Sequence, residues 1–216
     1  MVIVFIGPPG SGKGTQAQIL KDNLLPNLHL LTVSTLLKEK SNDGSVLGND
    51  IKNKMDNGDL IEDTIVISVL KEKVENLTNE QILIDGFPRS SAQAESLNHI
   101  FKDLKINIIN FIVSDDQLLE RIKKRSKEES RADDSVFEKR LDIYKKSHTE
   151  IISSLNKYYD VIDIEANDEI LSISQKITEK LGLNWCILYW LLNPFLIISL
   201  LQEISIGKNS RRKLTG

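Results

Sequence analysis

A single cysteine, Cys186, is all that 216 residues contain. One thiol cannot close an internal disulfide, and it excludes a multi-cysteine zinc site. That usage suits a reducing compartment. A bias of charge is missing too: 28 Lys and Arg stand against 31 Asp and Glu, a net −3. So even a balance excludes nucleic-acid binding by bulk electrostatics, and an anionic ligand must be held by cations arranged locally. Internal repeats are absent. A secretory leader is not expected either, because Met1–Ile6 runs straight into a glycine-rich stretch and reads as a buried strand. The body is therefore expected in the cytoplasm.

What is present is 40% apolar and 27% charged residues, the balance of a soluble globular protein rather than a disordered one. The length allows one α/β domain with a real core, or one domain with small mobile insertions. Short apolar runs at Val2–Ile6, Gln81–Asp85, Ile106–Val113 and Val161–Ile164 read as strands. Helical spacing predicts helices over Thr15–Leu25, Val46–Asp56, Asp63–Asn76, Ser90–Leu104, Gln117–Ser126, Ser135–Leu155 and Glu169–Leu181. Strands separated by helices argue for a parallel sheet covered on both faces. In such sheets ligands sit beyond the carboxyl ends of the strands, where the Gly7 loop and Asp85-Gly86 fall.

Residues 184–216 break this pattern. Trp185–Leu201 is almost wholly apolar but is interrupted by Asn193-Pro194, and Lys208, Arg211, Arg212 and Lys213 follow. The run is at the short limit for a membrane-spanning helix, and its central proline makes it a poor one. Membrane contact through this tail is one reading. Packing on the body or at an interface is the plainer one, and a tail of no selected function is a third.

The segment Gly7-Pro8-Pro9-Gly10-Ser11-Gly12-Lys13-Gly14-Thr15 lies between a predicted strand and a predicted helix. Its glycines let backbone N–H groups wrap a phosphate, Lys13 adds a point charge, and the following helix directs its positive end at the same anion. The plain phosphate-loop pattern has Ser or Thr directly after the lysine; here Gly14 takes that place and Thr15 comes next. With Gln16, the variant resembles the opening of adenylate kinases and the other nucleoside-monophosphate kinases. Asp85-Gly86-Phe87-Pro88-Arg89, with Gln93 beyond, resembles a second segment of that family. A strand-end Asp can hold magnesium through water, and an arginine can grip phosphate through two N–H groups.

Arg121 and Arg125 share a helix face, followed by Arg131-Ala132-Asp133-Asp134 and by Arg140 with Tyr144. This stretch is similar to the family's arginine-rich segment, and only Ser126–Ser130 separates the second and third arginines, which implies the short-lid type. Two nucleotides bring about six negative charges together, so fixed positive charge must carry much of such a reaction. Met55–Asp63 resembles the family's acceptor segment, in which Asp59, Leu60 and Ile61 would line the monophosphate. Upstream the likeness weakens. Aligned without a gap, Val33 stands where the family has a base-contacting Thr, Thr35 replaces an Asp, and Lys38 replaces the acceptor-phosphate Arg. Lysine offers a point charge where arginine offers a planar fork.

The resemblance covers roughly residues 1–183. It implies a P-loop three-layer α/β fold with a central five-stranded parallel sheet, the fifth strand near Leu28–Val33. A small acceptor-binding insertion is expected near 32–61 and a short lid near 126–134. It further implies reversible transfer of the ATP γ-phosphoryl to AMP, giving two ADP, with Mg2+ accompanying ATP. Gly10, Ser11, Gly12, Lys13, Gly14, Thr15, Arg121, Arg125 and Ala166 would bind ATP. Val33, Lys38, Asp59, Leu60, Ile61, Gly86, Phe87, Pro88, Arg89, Gln93, Arg131 and Arg140 would bind AMP. Lys13, Arg89, Arg125, Arg131 and Arg140 would be catalytic, with Asp85 holding magnesium through water and Asp133 and Asp134 in lesser roles. A monomer is expected. Two alternatives stay open at the acceptor side: a UMP/CMP kinase, or a nucleotide-binding protein with impaired acceptor phosphorylation.

Overall fold

The computed structural model describes residues 1–57, 59, 61–77, 81–102, 104–128 and 137–183, with the backbone alone at 125–128. Strand β1, Val2–Ile6, is buried along its whole length and alternates between two cores. Val2, Val4 and Ile6 point to one face and Ile3 and Phe5 to the other, as the period of two in a strand requires. The chain continues through α1 (Lys13–Asn23), β2 (Leu28–Thr32), α2 (Val33–Ser41), α3 (Val46–Asp56), α4 (Asp63–Glu75), β3 (Gln81–Asp85) and α5 (Ser91–Ile100). It then forms β4 (Ile106–Ile112), α6 (Asp115–Glu128), α7 (Phe137–Leu155), β5 (Val161–Glu165) and α8 (Ile170–Lys180).

The five strands are all parallel, in the order β2-β3-β1-β4-β5. Helices α1 and α8 cover one face through Ala17, Leu20, Ile173 and Ile177. Leu36, Ile51, Leu70, Leu97 and Ile151 bring α2, α3, α4, α5 and α7 onto the other. Each such fully buried side chain contributes about 1.5–3 kcal/mol of transfer free energy. Phe5 and Phe111 meet edge to face between β1 and β4, with centroids 5.0 Å apart. Ser45 and Ser90 cap α3 and α5, their hydroxyls accepting from the Gly48 and Gln93 N–H groups.

The register positions the site. Asp85 lies beside both Phe5 and Thr32, and Ile6 lies beside Asn110, so the loops after β1, β2, β3 and β4 leave the sheet at one level. The chain leaves β1 toward β2 and later crosses from β3 to β4, opening a crevice at the carboxyl end of β1.

Some boundaries differ from the sequence reading. Helix α1 ends at Asn23, because the Leu24 and Leu25 N–H groups both turn back to the Leu20 carbonyl. Helix α5 ends at Ile100, where the Phe101 to Leu104 stretch forms a turn closed by its own hydrogen bond. Val33, expected at the end of β2, is instead the first residue of α2.

Candidate active site

The loop between β1 and α1 folds back on its own lysine. The Lys13 Nζ donates to the carbonyls of Gly7 and Pro8, each at 2.8 Å, and to Ser11 Oγ at 3.1 Å. Gly7 adopts φ +150°, and a Cβ there would come within 2.8 Å of Phe111 Cβ, so only glycine lets β1 pass into the loop beside β4. Gly12, in the left-handed region, precedes the first helical turn. The N–H groups of Lys13, Gly14 and Thr15 open that turn without intrahelical partners, while Gln16 N–H closes it on the Gly12 carbonyl. Gly14 and Thr15 are exposed, so an anion can approach this end.

Burial pushes the Lys13 ammonium down to about 8 from its usual 10.5, and the Arg89 and Arg140 charges push the same way. The Asp85 carboxylate opposes them. The donor-side lysine thus shares one electrostatic neighbourhood with the carboxylate ending β3, with Arg89 after it, and with Arg140 from α7.

Helix α6 supplies a brace. The Arg121 guanidinium donates to the Ser11 carbonyl at 3.2 Å and to the Ala166 carbonyl at 2.6 Å, tying the glycine loop to the β5–α8 loop. Ala166 is wholly buried, and its N–H extends the ladder by donating to the Ile112 carbonyl. Asn167 accepts from the Ser114 N–H through its side chain. Gln16 makes a second tie that the motif alone did not disclose. Its buried amide donates to the Ile170 carbonyl at 2.9 Å and accepts from Ser174 Oγ at 2.5 Å, joining α1 to α8.

After β3 the chain turns at Gly86, φ +85°, and the Arg89 Nε folds back to donate to the Gly86 carbonyl at 2.9 Å. A Cβ at Gly86 would lie 3.1 Å from Arg89 Nη2, so the glycine keeps room for this return. Phe87-Pro88 is a cis peptide, with Phe87 in the core. Gln93, 3% exposed, accepts from the Arg89 N–H and donates to Asp63 Oδ1 at 2.7 Å. It thereby joins the Asp85–Arg89 turn to the start of α4.

On the acceptor side, Val33 is 3% exposed and Ile61 8% exposed, both packed into the core. Lys38 is exposed on α2. Asp59 is exposed and accepts from the Lys139 Nζ at 2.7 Å, which also donates to the Asn57 carbonyl. Lys139 had no signal in the sequence, since its partners lie some eighty residues away. Leu60, Arg131, Asp133, Asp134 and the other residues of 129–136 lie outside the described residues, as do the Arg125 side chain and residues 184–216. Of the expected lid, the backbone of 126–128 continues α6.

Magnesium can be tested against this donor set. A Cβ at Gly14 would sit 3.8 Å from Asp85 Oδ2, in ordinary contact, so the carboxylate ending β3 lies beside the first turn of α1. One strand-end carboxylate facing a phosphate site fits magnesium, which takes one or two carboxylates plus substrate phosphates. Among the described residues there is no group of three His, Cys, Asp or Glu that could hold a metal without such help.

A glycine loop leading from the central strand into a helix, a carboxylate at the end of its neighbour and convergent arginines define a P-loop nucleotide-binding protein. A family model described as adenylate kinase matches residues 5–171. The adenylate kinase of Prochlorococcus marinus (strain NATL2A) is 34% identical over 185 residues, 83% of this chain and 98% of the relative. That of Parasynechococcus marenigrum (strain WH8102) is 31% identical over 183 residues, with the same shares. The adenylate kinase of Leptospira biflexa is 35% identical over 148 residues, 66% of this chain and 78% of its own. The chain belongs to the adenylate kinase family, a family of phosphotransferase enzymes that use ATP with magnesium.

Proposed function

We propose that the protein transfers the γ-phosphoryl of MgATP reversibly to AMP, giving two ADP. The observation that carries this reading is the shared neighbourhood of Lys13, Asp85, Arg89 and Arg140, which sets a donor-loop cation against two acceptor-side arginines. In this reading Lys13 and the first-turn amides hold the triphosphate, and Arg121 and Arg125 clamp it. Arg89, Arg131, Arg140 and Lys38 orient the acceptor and the group in transfer. Asp85 would hold magnesium through water, where the ion would offset phosphate charge. Such a reaction gains little covalent help from protein, so positioning and fixed charge supply most of the rate.

The reading includes residues 32–61 as the acceptor-binding part and residues 126–134 as a short lid whose closure excludes water. It also takes the protein to work as a cytoplasmic monomer. The test is ATP with each nucleoside monophosphate in turn, following the diphosphates formed. AMP is expected to give the highest kcat/KM, and no transfer to any acceptor sinks the proposal.

A second reading rests on Val33. Its side chain is buried in the core and has no group to hydrogen-bond a base, which removes a reason to favour adenine. UMP or CMP as the better acceptor in the same panel decides for it.

A further inference from the structure

A cavity of about 370 Å³ lies at the end of the sheet opposite the glycine loop, lined by Lys105, Ile106, Tyr158, Tyr159, Ile162 and Lys180, with the polar Asn107 and Asp160 completing the wall. These residues belong to the starts of β4 and β5 and the last turn of α8. A strand length, roughly 17–20 Å, therefore separates it from the nucleotide site. Ile106 and Ile162 contribute apolar surface, and the rings of Tyr158 and Tyr159 stand 6.2 Å apart. Tyr158 is 52% exposed, and the buried Tyr159 hydroxyl has no hydrogen-bond partner among the described residues. Neither Lys105 nor Lys180 makes an ion pair among those residues. The opening thus combines two tyrosines and two isoleucines with Lys105, Lys180, Asn107 and Asp160.

The chain itself arrives here. Past Lys180, Gly182 takes φ +68° and the Leu183 N–H returns to the Thr178 carbonyl at 2.8 Å, turning the backbone toward the body. Trp185 follows two residues later, at most about 7 Å of extended chain away. It opens the apolar run to Leu201.

We propose that this segment docks on the body of its own chain, with the Trp185 indole seated in the cavity against Tyr158 and beside Lys180. An indole matches the tyrosines and lysines of the lining, stacking on or edging against the rings and accepting an ammonium over its face. Its one N–H can donate to Asp160 or to the Tyr159 hydroxyl. The two-residue tether makes the contact intramolecular, so a high effective concentration favours it over an outside partner. The Asn193-Pro194 break that spoils a membrane span does not oppose docking at residue 185.

Both tryptophans of the chain, Trp185 and Trp190, lie in this segment, so tryptophan emission reports on it alone. In a full chain carrying Trp190→Phe, the native protein should emit to the blue of the urea-unfolded chain and show several-fold weaker acrylamide quenching. Tyr158→Ala and Lys180→Glu should each shift emission to the red and return quenching toward the unfolded level, with far-ultraviolet circular dichroism unchanged. Native quenching as strong as in urea overturns the proposal. So does protection that neither substitution touches, or protection that rises with protein concentration and so reports a second copy. Protection gained only with phosphatidylcholine–phosphatidylglycerol vesicles overturns it in favour of a membrane.

Discussion

On the proposed reading, the donor loop and the acceptor loop of the crevice are tied by different kinds of polar interaction. Around the glycine loop, Lys13, Arg121 and Gln16 tie α1, α6, β5 and α8 together through buried or half-buried hydrogen bonds. A hydrogen bond to a charged group in such a setting is worth about 1.5–3 kcal/mol. Around residues 50–62, the ties are Lys54 with Asp50 and Glu62, and Lys139 with Asp59, the latter pair 48% and 49% exposed. Ion pairs that exposed contribute about 0–1 kcal/mol. In that reading the triphosphate loop is therefore held by buried or half-buried bonds. The acceptor side is anchored in the core by Val33, Ile51, Ile61 and Gln93, and only its outer loop near Asn57 and Asp59 is tied by exposed pairs. For the proposed reaction, which must bring two polyanions together and then release them, such a division would let the outer acceptor loop adjust while the donor loop stays fixed.

The strongest way to break the comparison is to remove the cation on which the rigid half is built. Lys13→Ala should lower kcat on the order of 10²–10³-fold or more, measured as ADP formation from ATP and AMP, with circular dichroism unchanged. A fully active variant refutes the role given to Lys13. The same lysine predicts a pH dependence. It sits at about 8 in the folded chain against 10.5 in the ordinary state, so the unfolded chain binds the extra proton between those values. Its contribution to stability therefore rises with pH through that window. Its ability to meet a triphosphate runs the other way, and kcat/KM for ATP should fall as pH passes about 8.

Arg121→Ala tests whether the brace matters as much as the anchor. It leaves the Ser11 and Ala166 carbonyls without their donor, and losing about 1.4 kcal/mol corresponds to tenfold in affinity. A rise in the KM for ATP of about that size, with the KM for AMP little changed, is expected. Equal effects on both substrates would erase the distinction between the halves. Gln16→Ala removes a tie that touches no ligand in the proposed scheme. Ser174 Oγ keeps its own bond to the Ile170 carbonyl at 3.1 Å, so about 0.5–1.5 kcal/mol of stability should be lost in urea unfolding. Gln16→Glu, which sets a second acceptor against the Ile170 carbonyl and brings a charge into a site 2% exposed, should lose more than that.

How far these features were legible depended on whether their partners were local. Val2–Ile6, Gln81–Asp85 and Val46–Asp56 have the bounds expected from apolar spacing, because turn residues close each of them within a few positions. Helix α2 was not read as a helix at all. Its first residue follows directly on β2, and β-branched Thr32 and Val33 extend a strand pattern into it, although Val33, Leu36 and Leu37 carry a helical face. The glycine loop and Asp85–Arg89 could be read because the chemistry is contiguous. The Arg121 brace could not, since its acceptors are backbone carbonyls 110 and 45 residues away and a carbonyl has no residue signature. Gln16 stood in the motif without a role until α8 was seen beside it.

The smallest expected effect is the one that most sharpens the contrast. Lys139 reaches from the first turn of α7 to Asp59 and to the Asn57 carbonyl, and so connects the start of α7 to the loop after α3, the acceptor loop of the proposed reading. Both side chains are about half exposed, so Lys139→Ala should cost less than about 1 kcal/mol in urea unfolding. If the acceptor half is the adjustable one, the change should appear in the KM for AMP and leave the KM for ATP alone. It should also fade with added salt, because screening weakens exposed pairs first. A charge reversal at both ends, Lys139→Asp with Asp59→Lys, should restore the AMP value if the pair acts through its charge. A loss comparable to that of Arg121→Ala, insensitive to salt, would mean that the acceptor loop is locked as firmly as the donor loop and that the division into a fixed and a moving half is wrong.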